Sequence, residues 1–373
     1  MRLKRTIALM ALLCALPLSA RADELDGDVL YRMVDVSGQA VMTLDGRIYE
    51  GDEYISADNQ LYVVISVDDS AHQAVAMPMG AEPAYDADRA RAVFASADKK
   101  DDAKDDGKKL IAMYSTHSDE SYENGDGAAS LAKNAGIYDV DRALKKALEE
   151  KGVTVELSTN THLPHDTKAY SRSRRTAEEL LKLAPDALLD IHRDGIPDES
   201  EYETEVDGEE TSKVRLLVGR SNPNADANRE FAKQIKATAD EKYDGLIKDI
   251  FIGKGNYNQE LYPRSILLEF GTHTLDKDLA IDATGYMADV LTTVLYGDSA
   301  SAEGEGAAKS AKGAGSGIFW AIFIVALAGI VYALASTGTL KNLGAKISGG
   351  ASELTGGLIG KRNRDEASEK KDE

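Results

Sequence analysis

Leu110–Gly125 reads LIAMYSTHSDESYENG, and the fold follows from how it is parsed. The apolar run Leu110 to Tyr114 has the length of a short buried strand; it stops at Thr116-His117, with Glu120 three residues further on. His117 and Glu120 then fall in the loop at a strand's carboxyl end, where open α/β sheets build their sites. Imidazole and carboxylate both suit Zn²⁺, and two ligands on one loop need only one more from the protein to leave a position open for water. Two later runs end in the same way. Ala187–Ile191 (ALLDI) leads into His192, and Ser265–Leu268 (SILL) leads into Glu269. An apolar strand followed by a ligand-type side chain, repeated three times, marks a shared site more specifically than any one pair.

Composition narrows the function classes. The chain has 373 residues, 43% of them hydrophobic, enough for a sizeable core and more than one domain. A formal net charge of -20 would repel a phosphate backbone, so nucleic acid is excluded as the expected partner. The single cysteine, Cys14, lies in an apolar N-terminal stretch, so any metal must be held by His, Asp and Glu.

Around the opening stretch the chain divides as follows. Arg2, Lys4 and Arg5 precede the apolar run Ile7–Leu18, and Ala20-Arg21-Ala22 offers a cleavage site, so residues 1–22 read as a signal peptide. Residues 23–95 alternate apolar and polar positions between turn signals and are expected to form a small all-β module; its His72 reads as a solvated loop residue. The Asp- and Lys-rich residues 96–109 read as a linker.

Residues 110–297 alternate strands and helices. Asp141 is placed as the cap of one helix, Ser171–Leu183 and Ala225–Tyr243 form two more, and Lys277–Leu295 closes the domain. Asp194–Lys213 reads as an acidic surface insertion. The expected fold class is α/β, a mainly parallel sheet with helices on both faces, preceded by the β module and followed by one transmembrane helix. Residues 298–317 are a Gly-, Ala- and Ser-rich tether. Ile318–Ala335 carries no charge and at about 1.5 Å per residue reaches roughly 27 Å, close to the ~30 Å of a hydrocarbon core. Residues 318–340 are therefore expected to anchor the chain in the cell membrane, with 341–373 as a cytoplasmic tail and the catalytic region outside.

These residues resemble the stage II sporulation protein P family, related to zinc-dependent N-acetylmuramoyl-L-alanine amidases. THSDES around His117 and Glu120, AYSRS at 169–173 and DIHRD at 190–194 carry the resemblance, with NPNADAN at 222–228, YNQEL at 257–261 and LLEFG at 267–271. It runs from about Leu110 to Tyr296. The resemblance implies peptidoglycan as substrate, Zn²⁺ as cofactor and cleavage of the amide between N-acetylmuramic acid and L-alanine, in sporulation or cell-wall remodelling beside other wall-remodelling proteins. A peptidoglycan endopeptidase on the same zinc site and an inactive wall-binding scaffold are the alternatives.

In that scheme His117, Glu120 and His192 hold the metal, with Asp119 or Glu123 as substitutes for Glu120. Glu269 is the catalytic base, and the alternative is that Glu269 is itself a ligand. Arg193, Asn222, Asn224, Tyr257, Asn258 and Gln259 are the expected substrate contacts. His162 and His165 are read as substrate-loop or structural residues, Arg172, Arg174 and Arg175 as a solvated helix face, and His273 has no assigned role.

Overall fold

A computed structural model of the chain describes residues 29–82, 85–86, 93, 108–166 and 168–297. The expected leader, tether, membrane span and tail lie outside the described residues, as does most of the expected linker. Among the described residues no helix is long and apolar enough to cross a membrane.

The N-terminal strands are β1 (Leu30–Asp35), β2 (Ala40–Asp45), β3 (Glu53–Ile55), β4 (Gln60–Asp68) and β5 (Gln73–Ala81). Eight more follow: β6 (Leu110–Tyr114), β7 (Thr154–Leu157), β8 (Ala187–Asp194), β9 (Glu203–Val206), β10 (Glu209–Ser212), β11 (Val214–Gly219), β12 (Ile247–Gly253) and β13 (Ser265–Thr272). The long helices are α1 (Ile137–Glu150), α2 (Ala169–Leu181), α3 (Ala225–Lys242) and α4 (Lys277–Tyr296). All strands but β9 and β10 join one sheet, in the order β2-β1-β5-β4-β3-β12-β11-β13-β8-β6-β7.

Strands β7, β6, β8 and β13 run parallel, as the strand–helix alternation predicts. The departure is at β11, which pairs antiparallel with β13 while staying parallel to β12. The chain passes from β8 to β11 through a 3₁₀ turn and the β9–β10 hairpin, with no crossover helix, so β11 runs back antiparallel, and the helix-free connection from Gly253 to Ser265 restores the direction at β13. The inversion sets the first residues of β11 beside the last residues of β13, one strand away from the end of β8. A second departure is that the β-rich stretch, read as a separate module, continues the sheet: β3 pairs antiparallel with β12 through Tyr54 and Phe251.

Period-2 alternation assigns the two faces. Ile111, Met113, Leu189, Ile191, Leu216, Ile250, Ile266 and Leu268 pack under α1, α3 and α4. On the opposite face Ala112, Tyr114 and Leu188 pack with α2 residues Ala177 and Leu180. Beside them Leu217, Phe251 and Leu267 are covered by Tyr31, Met33, Met42 and Leu44 from the β extension. Helices thus cover both faces, but on one of them the β extension does half the covering. Asp141 is not a cap: α1 starts at Ile137, and Asp141 is buried within it, its Oδ2 accepting from Ser115 Oγ at 2.9 Å.

Candidate metal and catalytic site

His192 and Glu269 lie within β8 and β13 rather than beyond them, and alternation aims both at the face that carries Leu217 and Leu267. The loop after β6 brings His117 and Glu120 to the same end. Glu120 Oε1 lies 3.1 Å from His117 Nδ1 and 3.2 Å from His192 Nδ1, and one ligand atom from each of the three residues falls within 4.8 Å of the others. Arg193 N donates to the other carboxylate oxygen, Oε2, at 2.9 Å. Asp119 points elsewhere, to His165 Nδ1 at 3.1 Å and Ser130 Oγ at 2.7 Å, and Glu123 is solvent-exposed. Glu120 is therefore the carboxylate between the two imidazoles.

The donor set fits a divalent cation. Asp190, which accepts from the Thr116 backbone N–H (2.8 Å), lies 2.9 Å from His192 Nε2. In the neutral ring an Nε2–H donated to Asp190 leaves Nδ1 as the lone-pair nitrogen, the arrangement of a carboxylate-oriented histidine ligand; in the protonated ring Nδ1–H donates to Glu120 instead. Burial alone would raise the Glu120 pKa, but the His192 charge and hydrogen bonds from both imidazoles hold it well below the carboxylate range. Burial would likewise depress His192, and the carboxylates of Asp190 and Glu120 lift it well above the usual value instead. The first shift keeps Glu120 ionised, and the second says that the carboxylates around His192 favour positive charge there.

One cleft contains these residues together with Glu269, Tyr170, Tyr257, Arg193, His165 and Asp45. His165 stacks on His117 with ring centroids 3.9 Å apart, and Tyr170 packs edge-on against both His117 (5.5 Å) and Tyr257 (5.4 Å). Glu269 opens to the cleft with 13% of its side chain exposed. Burial pushes its pKa up to about 8, with the Asp194 charge adding to that and Arg215 and His192 opposing it.

The profile of the stage II sporulation protein P family matches residues 49–292. The chain belongs to that family. Stage II sporulation protein P of Bacillus subtilis (strain 168) is 27% identical over 208 residues, which are 51% of this chain and 52% of the relative. The chain thus spans about half the length of the curated relative it matches. Among solved structures, an N-acetylmuramyl-L-alanine amidase of Mycobacterium abscessus is similar at 14% identity, with 50% of this chain and 96% of that one covered and a TM-score of 0.33. An N-acetylmuramoyl-L-alanine amidase of Clostridium difficile 630 is similar at 16% identity, covering 50% and 94%, with a TM-score of 0.32. The stage II sporulation protein P match begins at residue 49, so β3 to β5 fall inside the family region, which the motifs quoted above do not reach.

Of the six expected substrate contacts, the structure sets Arg193 and Tyr257 in the cleft. The other four lie outside its lining and act as ties within the fold. Asn222 Nδ2 donates to Gly219 O (2.5 Å) and Asn224 Nδ2 to Glu260 O (2.9 Å). Gln259, fully buried, bridges Leu217 O and the Gly219 N–H at 2.8 Å each. Asn258 Nδ2 donates to Tyr170 O (3.1 Å) and Ser173 Oγ (3.0 Å), which secures the turn that presents Tyr257. Gly255 is required there, since a Cβ would come within 2.4 Å of the Tyr257 ring.

His162 is a core residue, its Nδ1 2.9 Å from Ser115 O and its Nε2 2.9 Å from Thr176 Oγ1. Arg175 is exposed, as a solvated helix face requires, but Arg172 pairs with Asp166 and donates to His162 O at 2.5 Å, tying down the loop before α2, and Arg174 pairs with Glu178 and Glu260. His273 lies outside the cleft lining; its backbone ties Asp194 to Glu123.

Sequence reasoning missed Asp45, Asp190, Tyr202 and Arg215. Asp45 ends β2 and lies so close to Gly195 that a Cβ there would fall 1.6 Å from its Oδ2. Arg215, a lone charge inside the apolar strand β11, and the Lys248-Asp249 pair inside β12 did leave a signal. Such charges are buried only as partners.

Proposed function

We propose that the chain is an exported, membrane-anchored zinc-dependent peptidoglycan hydrolase that cleaves the amide between N-acetylmuramic acid and L-alanine in sporulation. One observation carries the reading: in a member of this family, His117, Glu120 and His192 converge within 4.8 Å on the cleft that also holds Glu269. When bound by those three side chains, Zn²⁺ would polarise the scissile carbonyl and lower the pKa of a coordinated water towards 7. Glu269 takes the proton from the attacking water and delivers it to the leaving amine, a cycle that suits a carboxyl whose pKa burial has raised. Tyr170, Tyr257 and His165 form apolar and aromatic walls that orient the substrate, and Arg193 N holds Glu120 in line for the metal.

The test is mass analysis of peptidoglycan digested by the purified protein, with metal content measured on the same sample. Intact stem peptides freed from glycan, with about one Zn²⁺ per chain and loss of activity on chelation, are expected. Split cross-links would make it an endopeptidase, no products a scaffold, and full activity without metal would overturn the zinc mechanism. Anchoring rests on the leader-like residues 1–22 and the charge-free run Ile318–Ala335. Protease added to wall-stripped cells should remove the catalytic region and spare a C-terminal tag; loss of the tag would reverse the topology.

A further inference from the structure

Tyr202 comes from the stretch that reads as an acidic surface insertion, yet its side chain is fully buried. Its hydroxyl donates to Asp194 Oδ2 at 2.7 Å and lies 3.3 Å from Glu269 Oε2. Arg215, also fully buried, approaches the same oxygen to 3.7 Å. Arg215 is locked in turn, by Asp194 Oδ2 at 2.6 Å, Asp249 Oδ1 at 2.8 Å and the carbonyl of Thr43 at 3.3 Å. Among the described residues both side-chain contacts to Glu269 fall on Oε2.

A phenolic oxygen carries one hydrogen and two lone pairs. The Tyr202 hydroxyl lies between two carboxylate oxygens, 2.7 Å from Asp194 and 3.3 Å from Glu269, and so ties Glu269 to the Asp194–Arg215 pair. We propose that Tyr202 is the positioning residue of Glu269, its hydroxyl fixing Oε2 on a mount held by Arg215, so that the carboxyl meets the reacting water in one geometry. The proposal rests on the reading of Glu269 as the base. It gives the hairpin β9–β10, which follows Tyr202 and packs against α4 through Tyr286 and Val206, a catalytic purpose as the scaffold of that side chain.

Replacing Arg215 endangers the fold, because Asp194 and Asp249 would lose their counter-charge, so Tyr202 carries the test. Steady-state kinetics and zinc content are measured for the full chain and for Tyr202→Phe, Glu269→Gln and the double variant. Tyr202→Phe is expected to lose about 10- to 100-fold in kcat with KM and zinc unchanged. In the Glu269→Gln background the same change should cost nothing further, since the group it positions has no proton to carry. An equal loss in both backgrounds, a loss that tracks zinc depletion or a rise in KM, or a wild-type kcat for Tyr202→Phe overturns the positioning role. If Glu269→Gln itself keeps wild-type kcat, the base assignment falls and the positioning role with it; if only Tyr202→Phe is silent, the base assignment stands.

Discussion

Glu120 and Glu269 are both carboxylates at the sheet's functional end, and their surroundings separate their roles. Glu120 is closed in by two imidazoles and a backbone N–H that all favour its charge, which suits a ligand. Glu269 has a buried, carboxylate-rich setting that favours its proton, which suits a group that must take one up and release it. Glu269→Gln should therefore keep its zinc and lose on the order of 10² to 10⁴ in kcat. Glu120→Gln should instead weaken zinc binding, so that added metal restores part of the rate. Metal titration of the two variants decides between them, and a zinc-depleted, zinc-rescued Glu269→Gln would make Glu269 the ligand.

The elements set these side chains by simple periodicities, and α1 adds a titration of its own. Asp141 sits on its buried face with Ser115 as hydrogen-bond partner and Oδ1 without one. Burial pushes its pKa from 3.8 up to about 8; the Ser115 hydrogen bond opposes the shift and the Asp190 charge adds to it. The folded protein then retains a proton that the unfolded chain has released, so Asp141 makes stability fall as pH rises from 3.8 towards about 8. Asp141→Asn should flatten that slope, and urea midpoints at about pH 5 and about pH 8 would measure it. An unchanged slope would show that Asp141 ionises freely in the fold. The helix's apolar spacing was legible in the sequence, but the position of Asp141 was not. Gly136 provides no side-chain cap, and the helix extends one turn ahead of the residue that reads as its start.

For the described part of the molecule the decisive feature is the continuity of the sheet from the β extension into the catalytic half. β3 supplies the hydrogen-bond partner of β12, and Tyr31, Met33 and Leu44 cover Leu217, Phe251 and Leu267. Exposing three such side chains costs about 1.5–3 kcal/mol each, comparable with the 5–15 kcal/mol that stabilises a typical domain. A fragment of residues 108–297 should show no cooperative thermal transition, while residues 29–297 should unfold cooperatively. A sharp transition in the shorter fragment would return the β extension to the status of an independent module.

Local order by itself determined the strands Leu110–Tyr114, Ala187–Ile191 and Ser265–Leu268, and the candidate side chains His117, Glu120, His192 and Glu269 that they deliver. An apolar run interrupted by a ligand-type residue is a short-range pattern, readable without knowing its neighbours. Only the tertiary structure decided which residues stand behind them. The antiparallel turn of β13 against β11 brings Arg215 beside Glu269, the β extension contributes Thr43 and Asp45, and the excursion after β8 buries Tyr202. The sequence spreads these partners across more than two hundred residues, and no local period links them. What brings them together is strand pairing and the need of each buried charge for a partner, and both exist only once the chain has closed on itself.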